Sequence, residues 1–258
     1  MAKFSEQLRA ATTDGGGLTL DVTPDWAQGR STFGGLQAAF AVQAMRRLVP
    51  EVPLRTLQVT FIGPILGRMH VQTTVLRTGS SATHVEARIT GEGGLATLAI
   101  GVFGKARTSA VTVERTQPVV TRDKAIVMPF IPGLAPAFIQ HFEGTWLRGA
   151  LPMMGSTETE HVIEVGIRDD GPATEAHAIA LADFVPPLAL SFLKKPAFGG
   201  TLTWMLELLT DRFEGLTGWR IDAELMAARD GYTSQALVLW GPDGRAVALG
   251  NQNMTVFG

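Results

Sequence analysis

The feature of this chain that most restricts its fold is an internal repeat. The segment Thr83–Gly101 (THVEARITGEGGLATLAIG) aligns without a gap to Thr233–Asn251 (TSQALVLWGPDGRAVALGN), 150 residues further on. In both segments a β-rich run reaches a glycine-containing turn and returns as a second run, which is the pattern of a β-hairpin. Two unrelated hairpins can also align in this way, so the order of the surrounding elements has to decide whether the two halves are repeats.

The order of elements is the same in both halves. Each half has a β-rich start, then a long helical segment, then four runs typical of strands. In the first half we predict a strand at 18–22, a helix at 34–48 and strands at 54–61, 69–77, 83–90 and 95–103. In the second half we predict strands at 138–147 and 161–167, a helix at 176–193 and strands at 202–209, 219–227, 233–240 and 246–256. The chain is therefore predicted to be an α+β protein with two similar modules.

Between the two modules lies a segment with neither pattern. Residues 107–136 contain several prolines and scattered polar residues without helical or strand periodicity, which is typical of a linker. We therefore predict an N-terminal module at 1–106, a linker at 107–136 and a C-terminal module at 137–258.

The first predicted helix is apolar around most of its circumference. Before the terminal Arg46 and Arg47, its only polar side chains are Gln37 and Gln43. Such a helix is buried on most sides. An antiparallel sheet that wraps around its own helix buries it in this way, whereas a helix on one side of a sandwich carries a wider polar face.

The overall composition excludes several classes of function. The chain has 22 basic and 24 acidic side chains and no run of five like charges, so it lacks the electrostatic signature of a nucleic-acid-binding protein. It contains no cysteine, which excludes disulfides, thiolate catalysis and cysteine-ligated metals. No apolar run approaches the roughly 20 residues of a membrane span, and the N-terminus has no apolar export signal. We therefore expect a cytoplasmic protein without a membrane span.

Several short motifs are similar, in this order and spacing, to those of one family. They are Trp26–Arg30 (WAQGR), Phe33–Gly35 (FGG), Arg55–Pro64 (RTLQVTFIGP), Val75–Ser81 (VLRTGSS), Ala182–Phe184 (ADF), Thr201 and the pair Asn251-Gln252. By these motifs the chain resembles the double-hotdog acyl-CoA thioesterases of the thioesterase II type and the thioesterase-like superfamily. The resemblance implies a tandem hotdog fold, in which each module wraps an antiparallel sheet around a long central helix. It also implies an acyl-CoA substrate and no separate cofactor.

The resemblance further implies the site residues. Asp183 falls at the catalytic Asp of the family, Thr201 at its Ser/Thr and Gln252 at its Gln. The chain departs from the family after two of these positions, since Asp-His-Ser is replaced by Thr203-Trp204-Met205 and Glu-Gly by Asn253-Met254. Because alternate residues of a strand share a face, Thr203 is an alternative to Thr201 as the site hydroxyl.

Asp183 stands in an apolar context (AIALADFVPPLAL), where an ionised carboxylate is costly unless it is hydrogen-bonded or paired. Burial raises the pKa of such a group, which suits a general base near neutral pH. Thioester hydrolysis needs a base for the attacking water, and we expect Thr201 and Gln252 to hold that water. The alternative is a structural Asp that caps the helix or supports a kink before Pro186 and Pro187.

Gly34 and Gly35 begin the first predicted helix, where glycine leaves backbone N–H groups open to a ligand and the helix dipole adds positive potential. We predict that these amides bind the oxyanion, and tight packing of the helix on the sheet is the alternative reason for glycine there. Trp26 is a candidate for the lining of the acyl or pantetheine channel, and its alternative place is the core.

The sequence lacks the residues that other types of reaction would need. No serine stands in a Gly-x-Ser-x-Gly motif. Hotdog hydratases carry a histidine five residues after the catalytic Asp, where this chain has Leu188. The five histidines have no metal-binding spacing, so no metal is expected. A non-catalytic protein that binds acyl or other hydrophobic ligands is the alternative to an enzyme, and a homo-oligomer is expected in either case.

Overall fold

The computed structural model describes residues 1–257, which form three α-helices, three short 3-10 helices and fifteen strands. The helices are α1 (Phe4–Arg9), α2 (Gly34–Arg46) and α3 (Glu175–Ala182), with 3-10 helices at Pro24–Trp26, Ala137–His141 and Leu188–Phe192. The strands are β1 (Thr12–Asp14), β2 (Gly17–Asp21), β3 (Ala27–Gln28), β4 (Ser31–Thr32), β5 (Leu54–Phe61), β6 (Arg68–Thr78), β7 (Ala82–Gly91), β8 (Gly94–Gly104), β9 (Ile126–Val127), β10 (Phe142–Arg148), β11 (Glu160–Ile167), β12 (Phe198–Leu208), β13 (Trp219–Arg229), β14 (Tyr232–Trp240) and β15 (Ala246–Phe257). In this part of the chain no helix has the length and apolar character needed to cross a membrane.

Thirteen of the described strands form one continuous antiparallel sheet, and β3 and β4 form a separate pair. The order in the large sheet is β1-β2-β6-β7-β8-β5-β12-β15-β14-β13-β11-β10-β9. The two halves of the chain meet where β5 pairs with β12, with Leu57 opposite Leu206, and both side chains are fully buried. Because these two strands pair with each other, neither half-sheet has an open edge at the junction.

The strand registers support the predicted repeat. A bulge at Leu76 interrupts the pairing of β6 with β7, and a bulge at Met226, 150 positions later, interrupts that of β13 with β14. One detail of the sequence alignment is wrong. The first hairpin turns between the paired residues Gly91 and Gly94, whereas the second turns across a longer loop beyond the pair formed by Trp240 and Ala246. The second strand of the repeat therefore aligns only with a one-residue gap.

The helices α2 and α3 pack against each other inside the curved sheet. From Gly34 to Val42 every residue of α2 is buried, which confirms the burial predicted from its apolar circumference. A Cβ on Gly35 would lie 3.0 Å from the Cα of Ala180, so glycine permits this close crossing. Each half-sheet with its helix forms one hotdog module, and the predicted α+β tandem hotdog fold is confirmed.

The prediction of a single helix over residues 176–193 is wrong. The helix α3 ends at Ala182, Asp183 has left the helical conformation, and the short 3-10 helix Leu188–Phe192 follows. Pro186 and Pro187 explain the break, because proline has no backbone N–H and its ring clashes with the preceding helical turn. Asp183 therefore stands just beyond the end of a helix and not within one.

The predicted strand over 138–147 starts later, at Phe142. The residues before it form a 3-10 helix after Pro136, and this turn stacks the ring of Phe138 on Phe33 with 4.1 Å between centroids. The φ angle of proline suits the start of a turn, and burial of the Phe138 ring outweighs the β-rich composition of the segment.

Most of the chain between β8 and β10 is exposed and irregular. It contributes the short strand β9 to the sheet, where Ile126 pairs with Trp146 and Val127 with Thr145. The carbonyl of Pro118 accepts a hydrogen bond of 2.7 Å from Arg220, which ties the segment to the second module. The strand β9 was not predicted, because two residues are too few to show strand periodicity.

We expect the junction of the two half-sheets to contribute strongly to stability. Leu206→Ala leaves a cavity beside Leu57 and should lower the free energy of unfolding, measured by denaturant titration, by about 2–5 kcal/mol. Leu209, just beyond β12, is 48 % exposed and gives the matched control. Leu209→Ala should cost less than about 0.5 kcal/mol. Equal costs for the two substitutions would contradict this assignment.

Candidate active site

Asp183 lies between the end of α3 and the start of α2. It is only 7 % exposed. A Cβ on Gly34 would stand 2.7 Å from Asp183 Oδ2 and 3.0 Å from the ring of Phe61 on β5. Only glycine leaves room for the carboxylate at this position. The fold thus brings into contact two residues that belong to different modules.

Gln252 supplies this carboxylate with a hydrogen bond. Its side chain on β15 is 1 % exposed, and its Nε2 donates to Asp183 Oδ1 at 2.7 Å. The backbone amide of Gly35 faces the same carboxylate. Both donors favour the ionised form, which burial disfavours.

Burial raises the pKa of Asp183 to about 7, and the amides of Gly35 and Gln252 limit the rise. No charged side chain of residues 1–257 is among the causes of the shift. A carboxyl group with this pKa is about half ionised at neutral pH. It can therefore take up and release a proton readily under these conditions.

A β-bulge separates Thr201 from Thr203. Thr201 pairs with Met254, which is buried on the same face of β15 as Gln252. Thr203 pairs with Asn253, and both side chains are exposed on the opposite face. Since paired residues of an antiparallel ladder point to the same side, Thr201 lies on the side of Gln252 and Thr203 does not. The expectation that the two threonines share a face is wrong, because the bulge inserts one residue between them.

The N-terminus of α2 presents backbone donors beside Asp183. The third and fourth amides of the helix donate to the carbonyl of Phe33, and the amide of Gly35 faces Asp183. Within residues 1–257 the amide of Gly34 donates no hydrogen bond. A free amide at a helix start attracts negative charge. Close packing is also a reason for both glycines: Gly34 lies against the ring of Phe61 on the sheet, as in the alternative interpretation, and Gly35 lies against the ring of Phe33 and helix α3.

Four of the residues expected at the site are therefore in direct contact, namely Asp183, Gln252, Gly34 and Gly35. Thr201 shares their side of the sheet, and in the described chain its hydroxyl makes no hydrogen bond to any of them.

Trp26 lies in the core and lines no opening. Its side chain has no exposed surface, stacks on His141 with 3.9 Å between ring centroids, and donates Nε1–H to the carbonyl of Ala2 at 3.0 Å. Its own carbonyl accepts from the amide of Phe33 at 2.9 Å, directly before α2. The expectation that Trp26 lines the substrate channel is not supported by this position. We assign Trp26 to the packing that holds the start of α2 in place.

Sequence reasoning missed Gln235. Its side chain on β14 is 1 % exposed, and its Nε2 donates to Gln252 Oε1 at 2.9 Å. The inward positions of β14 are Thr233, Gln235, Leu237 and Leu239. A glutamine on the buried side of an alternating strand was the available signal, because a buried amide needs a hydrogen-bonding partner.

The histidines are placed elsewhere in the fold. Burial lowers the pKa of His141 and of His161, and the ring of His177 bonds to Asp169 with 2.9 Å between Nε2 and Oδ2. In residues 1–257 no three side chains of the types that bind metal are grouped to hold an ion.

Comparisons with known sequences point to one family. A family model described as the acyl-CoA thioesterase C-terminal domain matches residues 122–256, and one described as the acyl-CoA thioesterase N-terminal domain matches residues 22–104. Among curated proteins, none matches the sequence.

Solved structures share the fold over almost the whole chain. A hotdog protein of unknown function from Alicyclobacillus acidocaldarius has a TM-score of 0.85 at 23 % identity, with 99 % of this chain and 98 % of that one covered. The tesB protein of Mycobacterium avium subsp. paratuberculosis has a TM-score of 0.76 at 12 % identity, with 99 % and 98 % covered. Acyl-CoA thioesterase II TesB2 from Mycobacterium marinum has a TM-score of 0.72 at 15 % identity, with 98 % and 96 % covered.

The raised pKa of Asp183 predicts a pH-dependent stability. The folded chain holds this proton more tightly than the unfolded chain, whose carboxyl has a pKa near 3.8, so stability falls as the pH rises from about 4 to about 7. Asp183→Asn removes this loss. The variant should match the wild type near pH 4 and be more stable at pH 8 by on the order of 4 kcal/mol in denaturant titrations.

The control is Asp123→Asn, since Asp123 is exposed in the segment between the modules. The free energy of unfolding of Asp123→Asn should differ from that of the wild type by the same small amount at pH 4 and at pH 8. A pH-independent difference for Asp183→Asn as well would contradict the raised pKa.

Proposed function

Since the chain belongs to the acyl-CoA thioesterase family, we propose that it hydrolyses acyl-CoA thioesters to the free acid and CoA. The observation that carries the proposal is a buried carboxyl group, Asp183, with a pKa of about 7 at the start of a helix from the other module. Such a group can accept a proton at neutral pH beside donors that stabilise developing negative charge.

In the proposed reaction Asp183 takes a proton from a water molecule as the water oxygen bonds to the thioester carbonyl carbon. The carbonyl oxygen becomes negative in the tetrahedral intermediate. When the intermediate collapses, the carbon–sulfur bond breaks, and the proton on Asp183 passes to the departing thiolate. The carboxylate is thereby regenerated for the next turnover.

The remaining residues receive distinct roles in this proposal. The free amide of Gly34 stabilises the oxyanion, and the amide of Gly35, which faces Asp183, adds positive potential at the same helix start. Gln252 holds the carboxylate through Nε2 and, together with the hydroxyl of Thr201, orients the water.

We propose one active site per chain. The sheet and helices have an approximate two-fold arrangement, but the opposite end of the packed pair α2 and α3 has a different composition. There Arg46 pairs with Glu175 at 2.6 Å, and Gln43 donates to the carbonyl of Leu8. The helix α2 carries no acidic side chain that corresponds to Asp183.

The central test is a thioesterase assay with short, medium, long and aromatic acyl-CoAs. At least one of these should be hydrolysed by the wild type. Asp183→Asn should lower kcat by about 100-fold or more, because it removes the general base. Gln252→Ala should also lower kcat, and Asp123→Asn is the control. Wild-type rates for both site variants would refute the mechanism, and a wild type that turns over none of the esters while it retains bound lipid would favour a ligand-binding protein.

The two threonines give a matched pair for the site hydroxyl. Thr201→Val removes a hydroxyl on the side of Gln252 and should reduce kcat by about tenfold, the value of one lost hydrogen bond to the attacking water. Thr203→Val removes a hydroxyl from the opposite, exposed face. It should leave kcat unchanged. A larger loss for Thr203→Val would reverse the assignment.

A further inference from the structure

We propose that Gln235 is a positioning residue, which orients the side-chain amide of Gln252 so that its N–H faces Asp183. The inference rests on the proposed function, which assigns Asp183 as the general base. The side chain of Gln235 bonds to Gln252 and acts on the carboxylate of Asp183 only through it.

A directed chain of hydrogen bonds carries the inference. The backbone amide of Leu188 donates to Gln235 Oε1 at 2.9 Å. Gln235 Nε2 donates to Gln252 Oε1 at 2.9 Å, and Gln252 Nε2 donates to Asp183 Oδ1 at 2.7 Å. Both glutamines are 1 % exposed, so water does not replace these partners.

The direction of this chain is set at its far end. A backbone N–H can only donate, so the amide of Leu188 requires an oxygen from Gln235. The nitrogen of Gln235 then faces Gln252, which has to present its own oxygen. Only the nitrogen of Gln252 is left for Asp183. The carbonyl of Pro186, 3.5 Å from Gln235 Nε2, favours the same orientation because a carbonyl only accepts.

The break after α3 supplies the donor that starts the chain. Leu188 is the first residue of the 3-10 helix that follows Pro186 and Pro187, and the first amide of a helix has no acceptor within the helix. Gln235 therefore has two roles, since it caps this helix and sets the orientation of Gln252. The same break places Asp183 outside the helix α3, so the acid and its support arise from one local feature of the chain.

Without Gln235 the amide of Gln252 is free to turn by half a rotation. Its oxygen would then face the carboxylate, and two acceptors would oppose each other. Burial, the Gly35 amide and the Gln252 amide determine the protonation of Asp183, and no charged side chain faces it from α2, α3, β5 or β15. The loss of one donor is therefore not masked by other charges, and the pKa of Asp183 should rise.

The test measures the pKa of Asp183 independently of turnover. In each background, the unfolding free energy is compared with that of the same background carrying Asp183→Asn. The pH above which this difference becomes constant then reports the pKa of the Asp183 carboxyl group in the folded chain. Gln235→Met keeps the length of the side chain and removes its polar atoms. It should move this pH upward by about half to one unit.

Gln7→Met is the matched control. Gln7 is 2 % exposed and bonds through its amide to the carbonyl of Asp21 and the backbone of Thr23, away from Asp183. This substitution should lower stability without moving the pKa of Asp183. In the thioesterase assay, Gln235→Met should shift the pH dependence of kcat in the same direction and leave KM nearly unchanged.

A second variant covers the case in which Gln235→Met does not fold. Gln235→Leu is also uncharged and removes the nitrogen that faces Gln252. The pKa of Asp183 should therefore rise by a similar amount. The inference is overturned if the folded Gln235 variants leave the pKa of Asp183 unchanged and lose only stability, as Gln7→Met does. A wild type that hydrolyses no acyl-CoA would refute the proposed function and leave this measurement intact.

Discussion

The contact between Asp183 and the start of α2 is the constraint on which the rest of the site depends. A carboxylate can reach the helix start only because residue 34 has no side chain, and α3 can cross α2 this closely only because residue 35 has none. These two glycines place an acid from one module against the helix start of the other. The edge-to-edge pairing of β5 with β12 then holds the modules in one sheet, so this geometry cannot change without disrupting a buried junction.

The two modules share a scaffold and differ in their chemistry. The bulges at Leu76 and Met226 occupy equivalent places, which indicates that the sheets follow one plan. At the two ends of the packed pair α2 and α3 the modules differ, with a buried acid at one end and the ion pair of Arg46 with Glu175 at the other. A pair of identical modules would place the same groups at both ends. The difference between them is therefore what makes one end suitable for proton transfer.

Much of this fold could be predicted from the sequence, because periodicity and glycine turns are local signals. The buried helix α2 and the hairpins of both halves follow from such patterns, and the apolar context of Asp183 predicts its burial. Other features depend on contacts that no local pattern encodes. The bulge between Thr201 and Thr203 reverses the faces inferred from strict alternation. Gln235 bonds to Gln252 and to Leu188, which are 17 and 47 positions away in the sequence. The indole N–H of Trp26 bonds to the carbonyl of Ala2, which is equally remote from any local pattern.

The hydrogen bonds around Asp183 set a balance between the base strength of its carboxylate and the fraction of the carboxyl group that is ionised at neutral pH. Greater desolvation would make the carboxylate a stronger base, but it would leave the group protonated at neutral pH and therefore unable to accept a proton. Stronger donors would keep it ionised and make it a weaker base. Burial together with two amide donors gives a pKa of about 7, between these extremes. The orientation of Gln252 contributes to this balance as directly as the burial does, because an amide turned the other way would add to the effect of desolvation and no longer oppose it.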